Sequence, residues 1–159
     1  MQGQITENYI KNARAKKSRC KMKKAIIYST TTGNTQAMAE FIKKGAEASG
    51  SEVYFATADS CDAEKVLSSD VIILGSPAMG AEELEDSMEN FYTAIESKLS
   101  GKKVAIFGSY DWGDGEWLRI WKERLTSAGA VVVNGEGLSG HLFPDEETSA
   151  ACEKLGIEA

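Results

Sequence analysis

Apolar residues along the chain fall into short runs separated by segments with helical spacing. Five runs, rich in β-branched residues, have the length of strands. Because each run is continuous rather than alternating with polar residues, it predicts a strand that is buried on both faces. The predicted strands are Ala25–Tyr28, Val53–Phe55, Val71–Leu74, Val104–Phe107 and Val131–Val133.

The segments between these runs carry apolar residues three and four positions apart, which is typical of one buried helix face. The residues that define the three clearest helices are Met38, Phe41, Ile42 and Gly45; Met88, Phe91, Tyr92, Ile95 and Leu99; and Leu118, Trp121, Leu125 and Ala128. A short helix is predicted over Ala63–Leu67, and a last one from Asp145 to about Leu155. Strands that alternate with helices predict a doubly wound, five-stranded parallel sheet with helices on both faces, because right-handed crossovers leave few other topologies.

In such folds ligands bind at the carboxyl ends of the strands, so the loops after strands one, three and four are the places to look for chemistry. The first loop, Tyr28–Thr35, reads Y-S-T-T-T-G-N-T and leads directly into a helix. Backbone N–H groups at a helix N-terminus favour an anion, and Gly33 allows the main chain to approach it. Further neutral donors come from Thr30, Thr32, Asn34 and Thr35.

No Lys or Arg lies between Tyr28 and Ile42, and the lysine of a nucleotide-hydrolysing P-loop is absent. Neutral donors alone suit one stably held phosphate, such as that of flavin mononucleotide (FMN). An ordinary threonine-rich turn with an N-cap uses the same residue types and remains an alternative.

The loops after strands three and four, residues 74–82 and 108–117, keep large apolar side chains between glycines. Met79 and Trp112 lie where they could stack on the two faces of a planar aromatic ring. The alternative for Trp112 is a loop residue that covers the core. Trp117 and Trp121, four residues apart, are predicted to form the packing face of the next helix.

Three segments together resemble the flavin-binding loops of short-chain flavodoxins, especially those of anaerobic bacteria. They read Y-S-T-T-T-G-N-T-Q-A-M-A-E, G-S-P-A-M-G-A-E-E-L-E and F-G-S-Y-D-W-G-D-G-E-W, in the order and spacing of that family. The similarity extends from Met22 to the end of the chain. It implies a flavodoxin-like sheet with strand order 2-1-3-4-5 and non-covalently bound FMN.

The resemblance also implies roles for individual residues. The phosphate would lie at residues 30–35, with Met79 and Trp112 against the flavin ring. The carboxylate of Glu82 would accept the flavin N3–H, and the peptide of Gly80 would flip towards N5 on reduction. The positions assigned to the FMN site are Thr30, Thr31, Thr32, Gly33, Asn34, Thr35, Ser76, Pro77, Ala78, Met79, Gly80, Glu82, Ser109, Tyr110, Asp111, Trp112 and Gly113. Thr31 and Asp111 stand where close relatives often have glycine.

Charge is distributed unevenly along the 159 residues, whose formal net charge is −6. The total is 18 basic and 24 acidic residues; residues 1–21 hold six of the basic and one of the acidic ones, which leaves 12 and 23, or −11, for residues 22–159. We expect residues 1–21 to be a disordered basic extension, either an interaction tail or a segment without a role in the main function, ahead of one domain over 22–159. The acidic body disfavours nucleic acid and favours basic protein partners.

The chain has no apolar run of about 18 residues and no secretory signal, so we expect a soluble cytoplasmic protein with no membrane partner. Cys20, Cys61 and Cys152 are far apart and the chain has one histidine, so neither a disulfide framework nor a metal site is predicted. That histidine, His141, is interpreted as a surface residue of the final crossover with no chemical role.

The resemblance implies a low-potential one-electron carrier rather than an enzyme, with FMN cycling between semiquinone and hydroquinone. Acidic residues near the flavin would disfavour the anionic hydroquinone; they are Glu82, Glu83, Glu85, Asp86, Glu89, Asp111, Asp114 and Glu116. We expect a monomer that docks on basic patches of ferredoxin-type reductases and acceptors.

Two other functions are compatible with this fold class. A flavodoxin-like NAD(P)H:quinone reductase would need free space over the ring, where Met79 and Trp112 are expected. A receiver-type signalling domain would need an acidic pair after the first strand, where Ser29 and Thr30 stand instead.

Overall fold

The computed structural model describes residues 21–159. The expected N-terminal extension therefore lies, apart from Lys21, outside the described residues. In chain order the elements are β1 Lys23–Tyr28, α1 Asn34–Ala48, β2 Glu52–Thr57, α2 Ala63–Leu67, β3 Val71–Gly75, α3 Asp86–Ile95 with a 3-10 turn Glu96–Lys98, β4 Lys103–Tyr110, α4 Glu116–Ser127, β5 Val131–Val132, β6 Leu138–His141 and α5 Glu146–Glu158.

All strand pairs are parallel, and the main path across the sheet is β2-β1-β3-β4-β5. One face packs against α3 and α4, through residues such as Tyr92 and Trp121, and the other packs against α1 and α5, through Met38 and Cys152. The predicted fold class, strand order and two-sided helix cover are confirmed. Trp117 and Trp121 are both buried, as their spacing predicts.

The fifth strand differs from the prediction, because two short strands share its place. β5 pairs with the first residues of β4, and β6 pairs with Phe107–Tyr110 at its far end. Between them the side chain of Asn134 bonds to the backbone of Ile106: its Oδ1 accepts from the Ile106 N–H at 3.2 Å, and its Nδ2 donates to the Ile106 carbonyl at 2.8 Å. Between β5 and β6 the side-chain amide thus takes the place of a backbone partner for Ile106. The sheet therefore has six strands rather than five within residues 21–159.

The expectation that every strand is buried on both faces is wrong for the two sheet edges. β1 from Lys24 onwards, β3, and β4 from Val104 to Ser109 are buried, whereas every residue of β2 after Glu52 is only partly buried. Val131 in β5 is 51% exposed. Among the described strands, β2 pairs with β1 alone and β5 with β4 alone, and a strand with one neighbour is covered less completely.

β1 and α5 are linked by a buried lysine. Lys24 is 2% exposed, and its Nζ donates to the carbonyl of Gly156 at 2.8 Å and to that of Ile157 at 3.4 Å. A cation at the carbonyl end of a helix interacts favourably with the helix dipole, although burial lowers the pKa of Lys24. None of the described helices is both long enough and apolar enough to cross a membrane.

Candidate functional site

The three loops that follow β1, β3 and β4 meet at the edge of the sheet where the strands have their carboxyl ends, here called the carboxyl edge. The hydroxyl oxygens of Thr35, in the first turn of α1, and Ser109, near the end of β4, lie 2.7 Å apart. The N–H of Ala78, after β3, donates to the carbonyl of Ser109 at 2.9 Å. Residues from all three loops are therefore in direct contact around Ser109.

The first loop leaves donors free at the start of α1. Gly33, the N-cap residue, has a φ of 89°, and its N–H donates to Thr30 Oγ1 at 3.0 Å. No side chain of residues 21–159 caps the first turn, and no acidic residue lies in it. The first N–H groups of an α-helix have no partner within the helix. They are available to an external acceptor beside the exposed Thr31 and Thr32.

Several predicted site residues are buried, so they act within the protein rather than at its surface. Thr35, Ser76, Pro77 and Ser109 all belong to this group. Ser76 Oγ accepts from the N–H of Glu85 at 2.9 Å and donates to the carbonyl of Pro77 at 3.0 Å. The hydroxyls of Thr35 and Ser109 thus fix two loops to one another, and the hydroxyl of Ser76 holds the segment after β3 in its own conformation.

Buried Trp117 adds a further anchor, because its Nε1–H donates to the Ser76 carbonyl at 3.0 Å. The loop after β3 is therefore attached to helix α4 as well as to β4.

Residues 79–83 form a tight turn on the outer side of this edge. Met79 and Glu83 exchange two backbone hydrogen bonds of 2.8 Å. The turn uses positive φ values at Gly80, 51°, and at Glu82, 55°. Met79 is 36% exposed at the start of the turn.

Glu82 joins this turn to the N-terminus of α4. Its Oε1 accepts from the backbone N–H groups of Asp114 and Gly115 at 3.1 Å and of Glu116 at 3.2 Å. Gly115, the N-cap residue of α4, receives no capping side chain from its own segment. Glu82 is thus a remote helix cap, a role that the sequence did not reveal. Among the described residues, its Oε2 makes no hydrogen bond.

Trp112 projects from the loop between β4 and α4 and is 63% exposed. The alternative interpretation, in which it covers the core, is wrong. Its neighbours Asp111 and Gly113 are also exposed, whereas the partly buried ring of Tyr110 packs 5.8 Å from that of Trp117. Met79 and Trp112 therefore expose large apolar surfaces on the two loops that Glu82 connects.

His141 is exposed, as expected, but it is the last residue of strand β6 rather than part of a crossover. Its Nε2 is 2.9 Å from the backbone carbonyl of Asp111, and its ring centroid is 5.1 Å from that of Tyr110. The pairing of β6 with the end of β4 brings it to the site, and the residues L-S-G-H carry no apolar run that could have predicted this strand.

Some of the acidic residues around the site have specific structural partners. Glu85 caps α3 by accepting from the N–H of Ser87, Glu89 pairs with Arg124 at 2.7 Å, and Asp114 pairs with Arg119 at 2.9 Å. The hydrogen bond that Arg119 donates to Asp114 raises the pKa of Arg119. Acidic groups at helix N-termini are favourable in any protein, so this cluster has a structural role besides its effect on the local potential.

Comparison with known proteins agrees with this geometry. The flavodoxin family model matches residues 26–155. The chain is 46% identical over 135 residues to a flavodoxin of Megasphaera elsdenii, covering 84% of this chain and 96% of the relative. It is 49% identical over 109 residues to a flavodoxin of Clostridium beijerinckii, covering 68% and 79% of the two chains.

Solved structures show the same similarity. The solution structure of two-electron reduced Megasphaera elsdenii flavodoxin superimposes with a TM-score of 0.74 at 43% identity, covering 84% of this chain and 96% of that one. The crystal structure of oxidised flavodoxin 2 from Bacillus cereus gives 0.74 at 40% identity, covering 85% and 95%. The chain belongs to the flavodoxin family, whose members bind FMN and transfer electrons rather than act as enzymes.

Proposed function

We propose that the three loops at the carboxyl edge hold FMN by the residues named from the sequence, and that the bound flavin carries single electrons at low potential. The observation that carries this proposal is that the first turn of α1, which no described side chain caps, lies at the same edge of the sheet as the exposed apolar side chains of Met79 and Trp112. The first feature fits a phosphate, and the second fits an aromatic ring.

The residues present fit FMN in their donor chemistry. The phosphate needs hydrogen-bond donors, and those at residues 30–35 are neutral hydroxyl, amide and backbone groups. Ser29 Oγ, at the entrance of this loop, is buried without a hydrogen-bond partner among the described residues. When bound, FMN supplies the ability to accept and release electrons one at a time.

The site residues divide into two groups by exposure. Thr30, Thr31, Thr32 and Asn34 are reachable from solvent and are proposed to contact the phosphate through their side chains. Thr35 and Ser109 use their hydroxyls on each other, and the N–H and carbonyl of Ser109 are bonded to Thr35 Oγ1 and to Ala78. We therefore assign Thr35 a backbone contact to the ligand, and both residues the task of fixing the two loops.

The ring would lie between Met79 and Trp112, with Tyr110 nearby and residues 76–78 along its edge. Gly80 is proposed to turn its peptide carbonyl towards the flavin N5 on reduction. A positive φ costs glycine little free energy, so two orientations of this peptide differ little in energy. Glu82 keeps Oε2 available for the N3–H while Oε1 caps α4.

The proposed low potential of the flavin follows from the negative charges near it and from its apolar contacts with Met79 and Trp112. The second electron would place a negative charge near the exposed Glu83, Asp86, Asp111 and Asp114. Like charges disfavour that state, and apolar contacts do so too, because they solvate an ion poorly. The exposed carboxylates are screened by salt, so their part of the effect is modest and depends on ionic strength.

Partners are proposed to be redox proteins that present basic patches to this acidic edge. Long-range attraction accelerates encounters without requiring a tight complex, which suits a carrier that must also leave. We further propose that the chain acts as a monomer in the cytoplasm, where the thiols of Cys61 and Cys152, which form no disulfide within the described part of the chain, stay reduced.

Titration of the apoprotein with FMN tests this function. We expect saturable binding at one flavin per chain, followed by two separate one-electron steps during stepwise dithionite reduction. Protein that stays colourless and takes up no FMN would overturn the proposal. Mixing the holoprotein with NADPH under anaerobic conditions should leave its visible absorption unchanged, whereas rapid bleaching would indicate a reductase.

A further inference from the structure

We infer that His141 is a positioning residue that fixes the Trp112 loop in the conformation that receives the flavin ring. The inference rests on the proposed function for its connection to FMN. The hydrogen bond itself, between His141 Nε2 and the carbonyl of Asp111, joins two groups of the protein and does not involve the flavin.

Trp112 is bracketed by two attachments from other parts of the chain. On its C-terminal side, Glu82 holds the N–H groups of Asp114 and Gly115. On its N-terminal side, His141 holds the carbonyl of Asp111 at 2.9 Å. Among residues 21–159, no other hydrogen bond involves residues 111–113. Loss of the His141 bond would therefore leave residues 111–113 without any hydrogen bond of their own, between Tyr110, which β6 holds, and Asp114, which Glu82 holds.

His141 is itself well placed to act as a fixed point. It pairs with Tyr110 in the register of β6 on β4, and the next N–H, of Leu142, donates to the Tyr110 carbonyl at 2.9 Å. The ring lies against that of Tyr110, which in turn packs on buried Trp117. The imidazole is thus anchored to the core through strand pairing and aromatic contacts.

The chemistry of the contact requires a donor at Nε2. A backbone carbonyl only accepts, so Nε2 must carry the hydrogen. A glutamine side chain can supply an N–H from a similar distance, whereas phenylalanine keeps a ring for Tyr110 but has no donor. The pair His141→Phe and His141→Gln therefore separates the hydrogen bond from the aromatic packing.

The first measurement is made on the apoprotein, without flavin. Backbone amide order parameters of Trp112 and Gly113, from NMR relaxation, should fall in His141→Phe and stay near the unmodified value in His141→Gln. Values for the core strand β3 serve as the internal control. Unchanged order at Trp112 in His141→Phe would overturn the inference.

The second measurement is FMN binding by the same three proteins. We expect His141→Phe to bind FMN about three- to fivefold more weakly, which corresponds to the loss of one exposed neutral hydrogen bond, and His141→Gln to bind within about twofold of the unmodified chain. Visible circular dichroism of the bound flavin should change in His141→Phe alone.

The outcomes distinguish this inference from the proposed function. If all three proteins fail to bind FMN, the proposed function is wrong, and the order parameters of the apoprotein still decide whether His141 fixes the loop. If His141→Gln loosens Trp112 as much as His141→Phe does, the donor at Nε2 is not what holds the loop, and the inference is overturned.

Discussion

The hydroxyls of Thr35 and Ser109 form a buried hydrogen bond of 2.7 Å between residues 74 positions apart in the sequence. The bond joins the first turn of α1 to the last part of β4. Two loops proposed to bind different parts of FMN, its phosphate and its ring, therefore share one internal contact.

This contact predicts energetic coupling between the two loops. Thr35→Val and Ser109→Ala each remove the bond between the two hydroxyls, and Thr35→Val also removes the acceptor of the Ser109 N–H at 3.4 Å. Each variant should lower the free energy of unfolding of the apoprotein by about 1–3 kcal/mol. The double variant should lose less than the sum, because the bond between the two hydroxyls can be lost only once. Urea denaturation measures all four proteins, and strictly additive losses would contradict the coupling.

Glu82 predicts a stability effect that does not depend on flavin. Glu82→Ala removes the acceptor for three N–H groups at the start of α4 and should destabilise the apoprotein by about 1–2 kcal/mol, as the loss of a helix cap does. Glu82→Gln keeps an acceptor oxygen and should lose less. Glu83→Ala, in the same turn but with no side-chain hydrogen bond among the described residues, is the matched control. Equal stability of Glu82→Ala and the control would exclude the capping role.

Substitution of Gly80 is predicted to change the potential for the first electron. Its φ of 51° is costly for other residues even though the space around its α-carbon is open. Gly80→Val should strain the turn by about 1 kcal/mol or more, which corresponds to tens of millivolts in a one-electron couple. The potential for the first electron should become more negative, and Gly80→Ala should shift it less. A redox titration with an unchanged first potential in both variants would remove the peptide flip from the mechanism.

The buried thiol of Cys152 predicts a loss of stability at alkaline pH. Burial raises the pKa of Cys152 from 9.0 to about 12, so above pH 9 the unfolded chain releases a proton that the folded chain keeps. Stability should therefore fall as the pH rises from 9 towards 12, by up to about 1.4 kcal/mol per pH unit from this group.

Other groups titrate in the same range, so the comparison with Cys152→Ala isolates the effect. The variant should be less stable at neutral pH, because it leaves a small cavity in the core, but its stability should decline less steeply above pH 9. Urea unfolding at several pH values gives both slopes. Parallel slopes for the two proteins would show that Cys152 ionises equally in both states.

The fold could be predicted largely because its signals are local. The continuous apolar runs identified the central strands, and the short helix over Ala63–Leu67 was predicted with the bounds that the structure shows. The sequence does not predict strand β6, because its own residues carry no apolar run and only its pairing with β4 makes it a strand. The exposure of Val131 was also missed, since a run of apolar residues does not show whether a strand lies at a sheet edge.

The site could be predicted as a set of loops but not as a set of contacts. The motifs assign Thr35, Ser109 and Glu82 to loops at one edge of the sheet, and the structure has these loops at that edge. They did not show that two of these hydroxyls bond to each other or that Glu82 caps α4, because such bonds depend on side chains from distant segments. His141 carried no motif at all, and only strand pairing brings it to Asp111.

Lys24 has a consequence for how the chain acquires this structure. Its ammonium group, in the first strand, finds its acceptors in the final turns of the last helix. During synthesis, Lys24 in the central strand β1 cannot form these hydrogen bonds until α5 has left the ribosome. Contacts between such distant segments are slow to form, so we expect the complete domain to become stable only after translation of its last helix, in one late and cooperative step.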